Sequence, residues 1–185
     1  MNLVWLPGFN GAARQPLLTR LASALGPAHR SLFPGLPRGR PSEGLVRERT
    51  FLAEAIGAAT FAEPPVLVGR SFGGRVALRH AVTAPVQAVV LLGFPVRPPG
   101  RPRPDDEAAL RAVPVPTLIV QGDADEKGPL DVLAPLVESN PHLSLVVLPN
   151  TGHGFGRRQE REAAGALARF LEALGRPVSR SRRRV

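Results

Sequence analysis

The stretch VLVGRSFGGRVALRHA, residues 66–81, decides the reading of this chain. Val66, Leu67 and Val68 open it as a continuous apolar run, the pattern of a strand covered on both faces. From Phe72 onward the pattern is helical. Ser71 sits at the junction, with Gly69 two residues before it and Gly73 two after. A strand–turn–helix with serine in G-x-S-x-G lifts the hydroxyl above the edge of a sheet. So sharp a turn leaves no space for side chains at its flanks, and Gly74 lets the helix start pack closely. The helix N-terminus turns backbone N–H groups toward the same point, where they face any negative charge that develops.

Working outward, short apolar runs alternate with helical stripes. Residues 2–6, 31–33, 66–68, 88–92, 117–121 and 143–148 read as strands. Between them lie helical stripes: Leu17, Leu18, Leu21, Ala22 and Leu25, then Leu45, Leu52, Ile56 and Ala59, then Leu130, Leu133, Ala134 and Val137. Ala164, Leu167, Ala168, Leu171 and Leu174 mark a last helix over about 158–174. The expected fold class is α/β, a doubly wound, mostly parallel six-stranded sheet with right-handed crossovers. Residues 34–44 and 94–104, rich in Pro, Gly and Arg, read as loops. One domain over 1–175 is the expectation, followed by a basic, solvated tail at 176–185.

The 185 residues carry a formal net charge of +9, from 24 Lys+Arg against 15 Asp+Glu. Five arginines and no acid fall in residues 176–185, so 1–175 hold +9 − 5 = +4. No aromatic residue is interleaved with the tail arginines, which argues against a nucleic-acid partner. The absence of cysteine excludes disulfides, thiolate metal sites and a cysteine nucleophile at once. Pro7 and Gly8 interrupt the first apolar stretch too early for a signal peptide, and no run is long enough to span a membrane. A cytoplasmic protein without a membrane partner is the expectation.

In an open α/β sheet, ligands bind beyond the carboxyl ends of the strands. That rule sorts the histidines. His29 and His142 precede their strands, and His80 lies about two turns into a helix. Only His153, in PNTGHGF, follows a strand at the productive edge. A serine hydroxyl needs such a base, itself oriented by an acid. TLIVQGDADEKGP offers Asp125, far enough past the strand end to turn toward the histidine loop. Asp123 is the alternative, or holds the turn by backbone hydrogen bonds, and Glu126 comes last. Asp105 and Asp106 read instead as the N-cap and first-turn acids of a helix before Ala108. An oxyanion hole would take the backbone N–H groups of Phe72, after the serine, and Phe9, in the loop LPGFNG.

With these segments in hand, residues 2–174 resemble the α/β-hydrolase superfamily. LPGFNG, VGRSFGG, QGDAD and NTGHGF look like its oxyanion loop, nucleophile elbow, acid turn and histidine loop. The order Ser71, Asp125, His153 is the order that superfamily uses. GRSFGGR together with GFPVRPPGRP looks like the small dienelactone-hydrolase-like proteins and their testis-expressed relatives. Those proper use a cysteine where this chain has Ser71, and many relatives have His-Gly where this chain has Pro7-Gly8. The chain starts almost at the strand bearing the oxyanion loop, so the resemblance implies a minimal version of the fold.

What it implies is a serine esterase. Its substrate would be a small or medium acyl ester or thioester, and no metal or organic cofactor is called for. The segment between the fourth and fifth strands is too short for a helical lid domain. Phe94 and Phe155 are candidates for an apolar acyl pocket, and Arg70 and Arg97 for cations at its mouth. The rival reading is a non-catalytic scaffold of the same fold that binds a protein or nucleic acid.

Overall fold

The computed structural model describes residues 1–176, and the tail proposed for 176–185 lies outside the described residues except for Arg176. Six strands form one sheet: β1 (Asn2–Leu6), β2 (Arg30–Leu32), β3 (Val66–Arg70), β4 (Ala88–Leu92), β5 (Thr117–Gly122) and β6 (Leu143–Leu148). Their order is β2-β1-β3-β4-β5-β6, and every pairing is parallel. Among the described residues six α-helices cover the faces: α1 (Pro16–Ala24), α2 (Val46–Ala58), α3 (Phe72–Ala81), α4 (Pro104–Ala112), α5 (Leu130–Ser139) and α6 (Arg157–Gly175).

Strand alternation divides the core in two. Leu3, Trp5, Val66, Val68, Val90 and Val120 point toward α1 and α6, meeting Leu18, Leu21, Leu167 and Leu171. Val4, Leu6, Leu67, Val89, Leu91 and Ile119 point to the opposite face, against Leu52, Val76, Leu78, Leu110 and Leu133 of α2 to α5. Burial on both faces explains why the central strands read as unbroken apolar runs.

The boundaries differ from the sequence reading where parallel pairing extends a strand. β3 runs on to Arg70, paired with Leu92, and β5 to Gly122, paired with Leu148. β2 sits one residue earlier than expected, at the sheet edge. α4 starts at Pro104, inside the stretch read as a loop, because proline is preorganised for a first helical position. Arg103 therefore holds the N-cap position expected of an aspartate. Asp105 and Asp106 do lie in the first turn. Asp106 is fully buried and accepts from Nε of Arg75 and of Arg79, which ties α4 to α3.

The order of the strands fixes where the site falls. From β1 the chain moves outward to β2, then returns to place β3 on the other side of β1. That switch opens a crevice at the carboxyl ends of β1 and β3. Loop 7–15 and the turn at Ser71 face each other across it. Residues 93–116, between β4 and β5, hold α4 alone, so no separate lid stands over this edge.

Candidate active site

Ser71 adopts φ 50° and ψ −110°, outside the regions open to most residues. Such a conformation costs about 1–3 kcal/mol and persists only where the surroundings impose it. Here the Ser71 N–H donates to the Leu92 carbonyl at 3.0 Å, while its own carbonyl accepts from Gly74 and Arg75 in the first turn of α3. The flanking glycines are sterically required. A Cβ on Gly73 would overlap the carbonyl oxygens of Leu6 and Pro7, and one on Gly69 would sit 2.5 Å from the Gly74 Cα.

The turn delivers the Ser71 hydroxyl to within 2.9 Å of His153 Nε2. His153 comes from the loop after β6, and its Nδ1 lies 2.9 Å and 3.1 Å from the two carboxylate oxygens of Asp125. Asp125 is fully buried, whereas the His153 side chain is 20% exposed, so the array opens to solvent at its serine end. Burial alone would raise the Asp125 carboxyl. The hydrogen bond and charge of His153, the Lys127 N–H and the Arg70 charge outweigh it and hold the group below the usual carboxylate range. Ser71, His153 and Asp125 are thus brought together from β3, β6 and β5.

Asp123 does not reach His153. Its carboxylate accepts the Thr151 N–H at 2.9 Å, and backbone bonds led by that one keep its carboxyl low. Glu126 is exposed, beyond the turn. The acid turn also rests on Gln121, which nothing in the sequence singled out. This buried amide donates to Asp125 and to the Gly128 carbonyl, each at 2.9 Å, and accepts the Phe94 N–H at 2.7 Å. A polar residue inside the apolar run of β5 was the available signal.

Across the crevice, the backbone N–H groups of Phe9 and Phe72 donate to no protein acceptor among the described residues. The Gly8 N–H is taken by the Gln15 side chain at 3.1 Å, which braces the loop. The Phe9 ring is 55% exposed and meets Phe72 edge-on, with centroids 5.7 Å apart.

Over residues 38–174 the sequence matches the profile of the alpha/beta hydrolase domain. The chain belongs to the alpha/beta hydrolase family. No curated protein matches it in sequence. Among solved structures, this alpha/beta hydrolase is similar in fold to Est1E from Butyrivibrio proteoclasticus, with TM-score 0.77 and 16% identity over 94% of this chain and 87% of that one. It is also similar to a monoacylglycerol lipase from Paleococcus ferrophilus, with TM-score 0.74 and 15% identity over 94% of each chain. An esterase from Thermogutta terrifontis superposes with TM-score 0.70 and 16% identity, over 94% of this chain and 90% of that one.

In this hydrolase a cleft of about 310 Å³ opens beside Ser71, lined by Phe9 and Phe72 and by Pro41, Pro95 and Pro98. A larger hollow, about 670 Å³, touches Asn2, Arg30 and Glu63 near the amino ends of the strands and is lined by none of Ser71, Asp125 and His153. Four residues read as pocket candidates do not line the cleft. Phe94 is fully buried in the core on the α3 side. Arg70 shares the parity of Val66 and Val68, so it points to the α6 side of the sheet and is only 8% exposed. Its guanidinium donates to the carbonyls of Leu92 and Gly93, at 3.2 Å and 3.3 Å, and to that of His153. Burial holds it below its ordinary range, with the Asp125 charge pulling the other way. Phe155 packs beneath this guanidinium, 5.4 Å from ring centre to Cζ. Arg97 is paired with Glu107 at 2.6 Å.

The cationic wall was instead supplied by Arg75, Arg101, Arg103 and Lys127. Arg75 lies four residues after Ser71 on α3, a helical spacing that places it on the same side. The other three sit on loops that gave no local signal. Among the described residues no cluster of three or more His, Asp or Glu side chains is arranged to hold a metal ion. None of the described helices is long and apolar enough to cross a membrane.

Proposed function

We propose that this protein is a serine hydrolase that cleaves small or medium acyl esters through an acyl-enzyme. The observation that carries the reading is the continuous hydrogen-bonded path from Ser71 through His153 to a buried, ionised Asp125. Asp125 fixes the tautomer with the proton on Nδ1, which leaves Nε2 free to accept the Ser71 proton. The Ser71 oxygen then attacks the acyl carbon, and the carbonyl oxygen takes up the negative charge. The N–H groups of Phe9 and Phe72 stabilise that oxyanion, the second with the dipole of α3 behind it. His153 returns its proton to the leaving alcohol as the ester bond breaks. Water repeats the sequence on the acyl-Ser71 ester, with His153 again the base, and releases the acid.

A fluorophosphonate probe tests this directly, because it phosphonylates only a serine activated by its neighbours. Mass spectrometry is expected to find one adduct per chain, on the peptide containing Ser71. A native protein left unlabelled there would make the non-catalytic scaffold the better account.

Arg70 is placed to hold the histidine loop rather than the substrate. Its bond to the His153 carbonyl spans β3 and the loop after β6. Because misplacement of a catalytic group by about 1 Å costs up to about 100-fold, Arg70→Met is expected to lower kcat by about 10- to 100-fold. KM should change little, since the side chain does not line the cleft. A rise in KM at constant kcat would return Arg70 to substrate binding.

A further inference from the structure

The cleft beside Ser71 has an unbalanced charge. Arg75 from α3, Arg101 and Arg103 from the approach to α4, and Lys127 from the loop after β5 converge on it, and no Asp or Glu lines it. Arg75 shares the buried Asp106 with Arg79, so one carboxylate serves two guanidinium groups there. Arg103 is half-buried, and its one side-chain bond among the described residues goes to the Pro95 carbonyl at 3.0 Å. The side chains of Arg101 and Lys127 make no ion pair among the described residues.

A half-buried cation without an ion-pair partner, here Arg103, raises the free energy of the empty cleft, and an anion placed between it and the exposed Arg101 and Lys127 lowers it. The crowding is visible at Arg103, whose guanidinium is pushed down to about 10 by burial and then by Arg75. It nevertheless remains charged at neutral pH. Apart from Ser71, the rest of the wall is phenylalanine and proline, which offers an acyl chain apolar contact and no competing carboxylate.

We propose that the ester cleaved at Ser71 carries a carboxylate elsewhere on its skeleton, and that Arg101, Arg103 and Lys127 bind it. Guanidinium groups suit a planar carboxylate because they present paired donors in a fork. The proposal rests on the serine-hydrolase reading and narrows it from esters in general to anionic ones.

Matched esters test it, with hydrolysis followed by titration of the acid released. Monoethyl adipate and ethyl hexanoate differ only in a carboxylate for the terminal methyl of the acyl chain. Butyl hexanoate and the hexanoate ester of 4-hydroxybutyrate differ in the same way on the alcohol side. One anionic ester is expected to exceed its neutral counterpart by about 10- to 100-fold in kcat/KM, the worth of a charge-assisted hydrogen bond or two. The pair that shows the preference tells which side of the scissile bond faces the cations. The preference should shrink in about 0.5 M salt, where exposed charges are screened within a few Å. It should fall toward 1 in the Arg101→Gln/Lys127→Gln double variant.

Turnover of the neutral esters with no preference for either anionic partner overturns the proposal and leaves the hydrolase reading intact. A preference that the double variant leaves unchanged also overturns it. If no ester is cleaved and the fluorophosphonate leaves Ser71 unlabelled, the hydrolase reading fails and this one with it.

Discussion

Ser71→Ala is expected to lower kcat by about 10⁶, the usual cost of removing a triad nucleophile. The size of the effect follows from the geometry. Among the described residues no other hydroxyl is bonded to His153 Nε2, which lies 2.9 Å from the Ser71 oxygen. Without the hydroxyl, only direct attack by water remains, aided by whatever the Phe9 and Phe72 N–H groups give the oxyanion. That residue of catalysis is typically 10³- to 10⁴-fold over water. Steady-state hydrolysis of an activated ester such as p-nitrophenyl acetate gives the measurement. Alanine keeps the Cβ and the backbone of the turn and removes a hydroxyl whose side-chain partner is His153, so thermal denaturation should show little loss of stability. An alanine variant within tenfold of the native rate would remove Ser71 from the mechanism.

Asp125→Asn carries the next largest effect, a fall in kcat of about 10⁴. The amide nearly matches the carboxylate in shape, but one of its two positions becomes a donor. Facing His153 Nδ1, that donor favours the tautomer with the proton on Nε2, which can no longer accept from Ser71. Asp123→Asn provides the internal comparison. Its carboxylate accepts backbone N–H groups, led by that of Thr151, and an amide oxygen can replace it there. A loss of about tenfold or less is expected there, and a larger loss than for Asp125→Asn would reverse the assignment.

The pH dependence of stability has a definite sign. The folded Asp125 carboxyl lies below the usual range, so its ionised form stabilises the fold above the unfolded value of about 4. That contribution disappears as the pH falls through the lower folded value. Acid unfolding followed from pH 7 downward should therefore lose this component only below about pH 4, and Asp125→Asn should lack it.

Much of the fold was legible because its signals are local. Runs 88–92 and 143–148 coincide with β4 and β6; β4 is buried at every position and must be apolar along its whole length, whereas β6, at the sheet edge, is buried only at its two ends. The convergence of Ser71, His153 and Asp125 was legible for a related reason. Ser71 announces itself through two glycines that no Cβ can replace, and His153 and Asp125 each follow a strand at its carboxyl end. The start of α4 was less so, because a Pro-Gly-Arg stretch reads as a loop until Pro104 is seen to open a helix.

The cleft wall was misread for a different reason. Proximity in sequence to Ser71 or His153 suggested Arg70 and Phe155, but strand parity sends Arg70 to the α6 face, where Phe155 packs beneath it. Arg97, on the loop that also carries Arg101 and Arg103, pairs with Glu107. Lys127 arrives from the opposite side on the acid turn.

The sequence by itself determined the strands, the sharp turn and the serine at its apex, because each is set by residues within a few positions of one another. Only the tertiary structure decided which charges meet beside that serine. Arg75, Arg101, Arg103 and Lys127 come from three separate loops and helices, and the order of the strands alone brings them to one edge of the sheet. The net charge of 1–175 therefore understates the cationic character of the cleft, because charge summed along a chain carries no information about where the fold gathers it.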